Sequence, residues 1–133
     1  MFKKLKIWRE ERGIQNTVGN IELNIYEELL ELMGLPKDLI RDLKLDFEKN
    51  ILPFAYEMPI TDKIDALDDL RVFSVNAIEA YGYDAEKTMD ETIKEISSRA
   101  GAYNETTQKW EKFKTDEAKA LWYKADYSKC KRL

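Results

Sequence analysis

The amino-acid sequence predicts an all-α protein, a four-helix-bundle-like fold with extra short helices and no substantial sheet. Apolar residues recur at helical spacing along most of the chain, and no convincing run of strands interrupts them. Most of the few glycines and prolines fall between these helical stretches, where they end one helix or begin the next. The length of 133 residues suits one domain with a real core, so we expect a single helical domain over 1–133.

The predicted helices begin and end at residues that suit those positions. They cover residues 2–12, 18–33, 36–50, 61–81, 84–100 and 115–125. Pro36 suits the first turn of the third helix, because a proline there loses no helical hydrogen bond. Residues 51–59 contain two prolines and predict a loop. Residues 102–114 are polar, show no clean period and predict no regular element.

Composition and charge argue against several classes of function. The net charge of −4 gives no electrostatic reason to expect binding to DNA or RNA. The chain has no histidine and a single cysteine, Cys130, which argues against a structural zinc site, an internal disulfide and any histidine base. We find no apolar run long enough to cross a membrane and no secretion signal, so the expected location is the cytoplasm.

A carboxylate lies on the apolar side of the helix predicted over 18–33. At about 100° per residue, Glu28 shares a narrow stripe with three apolar residues, and Glu31 borders that stripe. Burying a carboxylate costs several kcal/mol unless something compensates its charge. A salt bridge to a lysine or arginine elsewhere in the chain is one compensation, and a metal ion is the other.

The helix predicted over 61–81 repeats this anomaly. Asp62, Asp65, Asp69 and Asn76 are spaced so that they share one face. The helix is apolar nearly all round, which predicts a central place in the bundle and an acidic face that points inward. A solvated face is the alternative, and the position of Asp62 near the helix N-terminus also suits the helix dipole.

Inward carboxylates on two helices predict a site for divalent cations. Carboxylate oxygens are ligands that Mg²⁺ prefers, and Mn²⁺ is the alternative. In helix bundles such sites form from carboxylates on facing helices, with positions left open for water and substrate phosphates. A carboxylate such as Glu27 or Glu31 would then orient the attacking water.

Residues 27–31, Glu-Glu-Leu-Leu-Glu, resemble the EExxE motif of the all-α nucleoside triphosphate pyrophosphohydrolases. This group includes the MazG proteins and the all-α dimeric dUTPases, and a later helix of its members carries an ExxD motif. Residues 62–70, DKIDALDDL, look like the ExxDAxxDL pattern of a phage-type MazG-like variant. Residues 95–99, 109–112 and 123–128 are similar to downstream segments of the same variant, so the resemblance covers most of the chain from about residue 20.

The resemblance implies an Mg²⁺-dependent enzyme that converts a nucleoside triphosphate and water into a monophosphate and pyrophosphate. It implies catalytic roles for Glu27, Glu28 and Glu31, and metal ligation by Glu28, Glu31, Asp62, Asp65 and Asp69. The second motif departs from the family pattern, because Ala66 replaces the usual glutamate before Asp69 and Asp65 is its expected substitute. Members of the family form dimers or tetramers, so a homodimer or homotetramer is expected.

The resemblance also suggests residues that contact the substrate. Arg99, Lys109 and Lys112 are expected to meet the phosphates, although solvated surface charge is an equally good interpretation of the two lysines. Asn76 would hydrogen-bond a base or sugar, or else satisfy a neighbouring carboxylate. The three tryptophans would stack on a base, but a packing role is the better expectation for each.

Two other functions compete with the enzyme. A non-catalytic helical interaction protein would keep the fold and carry the acidic residues as a remnant, and the shortened carboxylates of the second motif favour it. A nucleic-acid-binding module is the poorer alternative, because the net charge is −4.

Overall fold

Helices dominate the part of the chain that the computed structural model describes, which is residues 2–13, 21–107 and 109–132, with only the backbone at Lys109. The helices of this part are α1 (Phe2–Glu11), α2 (Ile21–Leu32), α3 (Lys37–Asn50), α4 (Ile60–Ala80), α5 (Ala85–Ser97) and α6 (Asp116–Ala120). Short 3₁₀ helices cover Leu52–Phe54 and Tyr127–Cys130. The predicted all-α class is confirmed. None of these helices is both long enough and apolar enough to span a bilayer.

Glycine and proline set the helix ends much as the sequence predicted. Gly34 follows α2 with φ of 74° and Gly82 follows α4 with φ of 88°, a left-handed conformation that favours glycine and ends a helix. Pro36 immediately precedes α3 in an extended conformation. Asp84 caps α5, since its carboxylate accepts hydrogen bonds from the backbone N–H groups of Glu86 and Lys87 at 3.0 and 3.1 Å.

A small antiparallel hairpin occupies the segment for which the sequence predicted no element. Strands β1 (Gly101–Asn104) and β2 (Lys109–Lys112) pair so that Tyr103 lies opposite Trp110. The turn begins at Asn104, whose side-chain oxygen accepts from the backbone N–H of Thr106 at 2.9 Å. A Cβ atom at Gly101 would overlap the Trp110 ring, so glycine is required at this close approach.

The contacts divide the chain into two compact units. The α2–α3 unit is Asn16–Lys63, and the α5 unit is Met1–Gln15 together with Ile64–Leu133. The single domain expected from the length stays a prediction. In the α2–α3 unit, α2 packs against α3. Leu30 and Ile40 are buried there, and the rings of Tyr26 and Phe47 stack with their centres 4.3 Å apart.

The core of the α5 unit lies around α5. Ile93 and Cys130 are buried, and both α1 and the C-terminal 3₁₀ helix contact α5. Arg12 joins α1 to the C-terminal end of α5, because its guanidinium donates to the Ser97 carbonyl at 3.0 Å. This donor satisfies a carbonyl that the helix itself leaves without a partner.

Helix α4 is exposed, contrary to the prediction that it is central with its acidic face inward. Every side chain from Ile60 to Ala77 is exposed, and the apolar Ile64 and Phe73 are 52% and 70% accessible. Among the described elements the helix pairs in contact are α2 with α3 and α1 with α5. The physical reason is that an all-round apolar pattern shows that a helix needs cover, without identifying what covers it.

Candidate functional site

A cavity between α2 and α3 contains two of the three predicted catalytic glutamates. Its volume is about 530 Å³, and Leu23 and Ile40 form part of its apolar wall. The charged side chains that line it are Glu27, Glu31, Glu48, Lys37, Arg41 and Lys44. We call this space the α2–α3 cavity. It places acids and bases together within one unit, in a volume typical of sites for small molecules.

Helical spacing explains why both signs of charge meet in the α2–α3 cavity. Glu27 and Glu31 are one turn apart on α2, so they lie on the same side of that helix. Lys37, Arg41 and Lys44 are spaced by four and three residues and share a side of α3. The ammonium of Lys44 lies 2.8 Å from a carboxylate oxygen of Glu27, and both side chains are about one-third exposed.

Glu28 is exposed on α2, contrary to the expectation of a buried position, because the apolar stripe it shares is itself not fully covered. It does not line the α2–α3 cavity. Desolvation is the main cause that raises the pKa of Glu28 above its usual value, and the charges of Glu31 and Glu27 raise it further. The negative charges of Glu27 and Glu31 therefore disfavour the ionised state of Glu28. A bound cation would reverse that effect, because opposite charge favours the ionised carboxylate.

The predicted aspartate ligands lie on α4. Asp62, Asp65 and Asp69 share a face of this helix, as the sequence indicated, and all three are exposed. By contact clustering Asp62 belongs to the α2–α3 unit, whereas Asp65 and Asp69 belong to the α5 unit. Asn76 is exposed further along α4.

Two of the predicted substrate-binding cations meet at Trp122 in the α5 unit. The guanidinium carbon of Arg99 lies 5.6 Å from the centre of the Trp122 ring, and the ammonium of Lys112 lies 5.3 Å from it. Arg99 also pairs with Glu95 at 2.7 Å. The Arg99 Nε and the Trp122 indole N–H are buried and find no acceptor among the described residues. The Lys109 side chain lies outside the described part of the chain.

The carboxylates of the α2–α3 cavity could hold Mg²⁺ if water and substrate supplied its other ligands. In the described ranges no group of three or more carboxylate or thiol side chains is arranged to hold a metal. Mg²⁺ commonly binds through one or two carboxylates, with waters and substrate phosphates at its other positions. Glu27 and Glu31 supply two carboxylates in one cavity, which matches that mode better than a closed protein cage.

The cations of α3 were not predicted as part of the site. Residues 36–50 were predicted only as a helix, with no role for Lys37, Arg41 and Lys44. Their spacing of four and three residues was the available signal, because it places three positive charges on one side of a helix next to the EExxE helix. Neither Glu28 nor any aspartate of α4 lines this cavity among the described residues.

The tryptophans contact other groups of the protein, and a packing role for each stays the better expectation. The indole N–H of Trp8 donates to the Ile96 carbonyl at 3.4 Å, and the Arg12 guanidinium lies 5.3 Å from the Trp8 ring and 5.5 Å from the Trp110 ring.

Comparisons of the chain with family models, with curated proteins and with solved structures found no match.

Proposed function

We propose that this chain is an Mg²⁺-dependent nucleoside triphosphate pyrophosphohydrolase, which converts a (d)NTP and water into a (d)NMP and pyrophosphate. One observation carries the proposal: the α2–α3 cavity brings two glutamates of the EExxE motif together with three cations of the next helix. Carboxylates and cations in one cavity suit a substrate that is itself a metal-bound polyphosphate.

The cavity residues divide naturally between the two charges of such a substrate. Lys37, Arg41 and Lys44 would bind phosphate oxygens, and Arg41 offers the planar donor fork that suits them. Glu27 or Glu31 would accept a proton from the water whose oxygen attacks phosphorus. The anhydride bond between the α- and β-phosphates then breaks, and pyrophosphate leaves with its electron pair. When bound, Mg²⁺ neutralises phosphate charge and lowers the pKa of water.

The same proposal assigns the remaining residues on the strength of the sequence resemblance. Asp62, Asp65 and Asp69 would complete the metal ligands together with Glu28. Arg99, Lys109, Lys112 and Asn76 would contact the substrate. The pair of unpartnered buried donors at Arg99 and Trp122 supports an anion at that place, because buried N–H groups normally have an acceptor.

A panel of canonical and modified nucleoside triphosphates with Mg²⁺ tests the proposal, with monophosphate and pyrophosphate as the measured products. We expect Glu31→Gln to lower the rate about 100-fold or more, because it removes a carboxylate base or ligand while keeping the side-chain shape. Glu22→Gln is the matched control, since Glu22 is an exposed glutamate of the same helix that does not line the cavity. Hydrolysis that survives Glu31→Gln and Glu28→Gln would refute the site.

A non-catalytic interaction protein is the second candidate. The ion pair between Lys44 and Glu27 favours it, because a glutamate held by a lysine at 2.8 Å can serve packing alone. Thermal melting with increasing Mg²⁺ or Mn²⁺ separates the two candidates. A ligand that binds only the folded state raises Tm, so we expect a rise for the enzyme and none at millimolar metal for the interaction protein.

A further inference from the structure

The α5 unit contains a second cavity, which shares no residue with the α2–α3 cavity. It lies where the end of α4, the first half of α5 and the C-terminal 3₁₀ helix come together, and its volume is about 400 Å³. Its lining consists of Ile78, Tyr81, Tyr83, Thr88, Thr92 and Tyr127. We call it the tyrosine cavity. Its volume falls within the range of small-molecule sites, and its lining combines apolar rings with a few polar atoms.

Three of the hydroxyl groups that line the tyrosine cavity, those of Thr88, Thr92 and Tyr127, present acceptors rather than donors. Thr88 donates its hydroxyl proton to the Ala85 carbonyl at 3.0 Å, and Thr92 donates to the Thr88 carbonyl at 3.0 Å. A threonine hydroxyl has one proton, so the 2.9 Å contact between Thr92 and Tyr127 requires the Tyr127 hydroxyl to donate. All three protons are therefore used within the protein, and the oxygens keep lone pairs for a ligand.

The rings of the tyrosine cavity favour a positively charged ligand. Tyr81 and Tyr127 are 79% and 42% exposed, although large aromatic surface is normally buried. Tyrosine rings attract ammonium groups through the negative charge of their faces, and clustered aromatic residues are a known way to bind organic cations. The chain also carries a net charge of −4, which favours cations over anions at its surface.

We propose that the tyrosine cavity binds a small organic ammonium ion, a primary amine carried on an apolar or aromatic body. Its N–H groups donate to the hydroxyl oxygens of Thr88, Thr92 and Tyr127. The body packs against Ile78 and the tyrosine rings. Both features are needed, since the acceptors select a donor and the rings select positive charge and apolar surface.

Titration of the full chain with benzylammonium chloride, followed by ¹⁵N NMR, tests this proposal. We expect saturable shifts that are concentrated at residues 78–92 and 127. Benzyl alcohol keeps the ring but lacks the charge, and benzyltrimethylammonium keeps the charge but lacks N–H donors. Each should bind at least about tenfold more weakly than benzylammonium. Equal binding of benzyl alcohol, or no saturable binding of benzylammonium, would overturn the proposal.

Two variants locate the ligand. Tyr127→Phe removes one acceptor oxygen and keeps the ring, and Tyr81→Ala removes a ring that is 79% exposed and so contributes little to folding. We expect each to weaken benzylammonium binding about tenfold. Tyr56→Phe is the control, because Tyr56 is exposed in the other unit. Unchanged affinity in Tyr81→Ala and Tyr127→Phe, or an equal loss in Tyr56→Phe, would contradict the site.

Discussion

Glu91 shows how a buried carboxylate can be satisfied entirely by the protein. It is 8% exposed on α5, accepts from the Tyr123 hydroxyl at 2.5 Å and accepts from the Asp126 backbone N–H at 3.2 Å. These hydrogen bonds, with that from Tyr123 the largest cause, lower the pKa of Glu91 from 4.5 to about 2. Glu91 therefore ties the segment after α6 to α5, and this role needs no ligand.

Acid should weaken the fold through Glu91. Because its pKa is lower in the folded chain, its ionised form stabilises the protein fully above pH 4.5, and this contribution is lost as the pH falls towards 2. We expect Glu91→Gln to lower Tm at neutral pH and to flatten the fall of Tm with acid in that range. Circular dichroism melts at several pH values measure both effects.

Glu86→Gln provides the control for that prediction. Glu86 is an exposed acid of the same helix, so its replacement should leave the acid dependence of Tm almost unchanged. If Glu91→Gln melts with the same acid dependence as the wild-type protein, the hydrogen bonds of Glu91 do not contribute to stability as argued.

The sequence identified Glu28 but not Glu91, and the difference is physical. Glu28 was indicated by its own helix, because its angle places it on an apolar stripe, although the structure leaves it exposed and shows only a raised pKa. The partners of Glu91 lie 32 and 35 residues further along the chain. Helical periodicity relates only residues that are close in sequence, so it could not predict the hydrogen bonds that stabilise Glu91.

At the scale of single elements, Asp84 controls the start of α5. Its side chain accepts from two backbone N–H groups of the first turn, and these interactions lower the pKa of Asp84. We expect Asp84→Ala to lower Tm by a few degrees, because those N–H groups lose their acceptor. Thermal melting at neutral pH measures the change.

Asp84→Asn separates capping from charge. Asparagine is as good a cap as aspartate, so this variant should melt close to the wild-type protein. An equal loss of Tm in Asp84→Asn and Asp84→Ala would show that the negative charge, rather than the accepted hydrogen bonds, stabilises the helix start.

An element could be predicted when neighbouring residues in the sequence carried the signal for it. Helix ends at Gly34 and Gly82 were predictable because a left-handed residue is required where the chain leaves the helix. The hairpin was not, since each strand has four residues and its polar sequence shows no clear alternation. Asn104 was its one local signal, as the residue at which the turn begins.

The residues of the candidate site also differed in whether the local sequence predicted them. Helical angles placed Asp65 with Asp69 on one face of α4, as observed. On α2 they put Glu28 on the apolar stripe and pointed Glu27 towards solvent, whereas Glu27 and Glu31 are the two that line the α2–α3 cavity. The opposing cations of α3 required knowledge that α2 packs against α3, which is a tertiary fact. The sequence therefore identified the acidic segment of α2 but not which of its glutamates face the α2–α3 cavity, nor the basic half of that cavity.

At the scale of the whole molecule, α4 exposes apolar surface that a partner would cover. Its side chains at Ile60, Ile64, Leu67, Leu70 and Val75 are all exposed and fall within one broad sector of the helix. Apolar surface stabilises a protein by about 25 cal/mol per Å² when it is removed from water. A second copy of this chain is the partner consistent with the homo-oligomer that the sequence resemblance implies.

We therefore predict that the protein is a dimer or tetramer in solution and that α4 contributes to the interface. Sedimentation velocity over a range of concentrations measures the mass. Leu67→Glu places a charge in the middle of the apolar sector, so it should shift the protein towards the monomer, because a desolvated unpaired carboxylate is costly. Thr61→Glu adds the same charge on another side of α4 and should leave the mass unchanged. A wild-type chain that sediments as a monomer at every concentration would contradict the interface, and the exposed sector of α4 would then need a different partner.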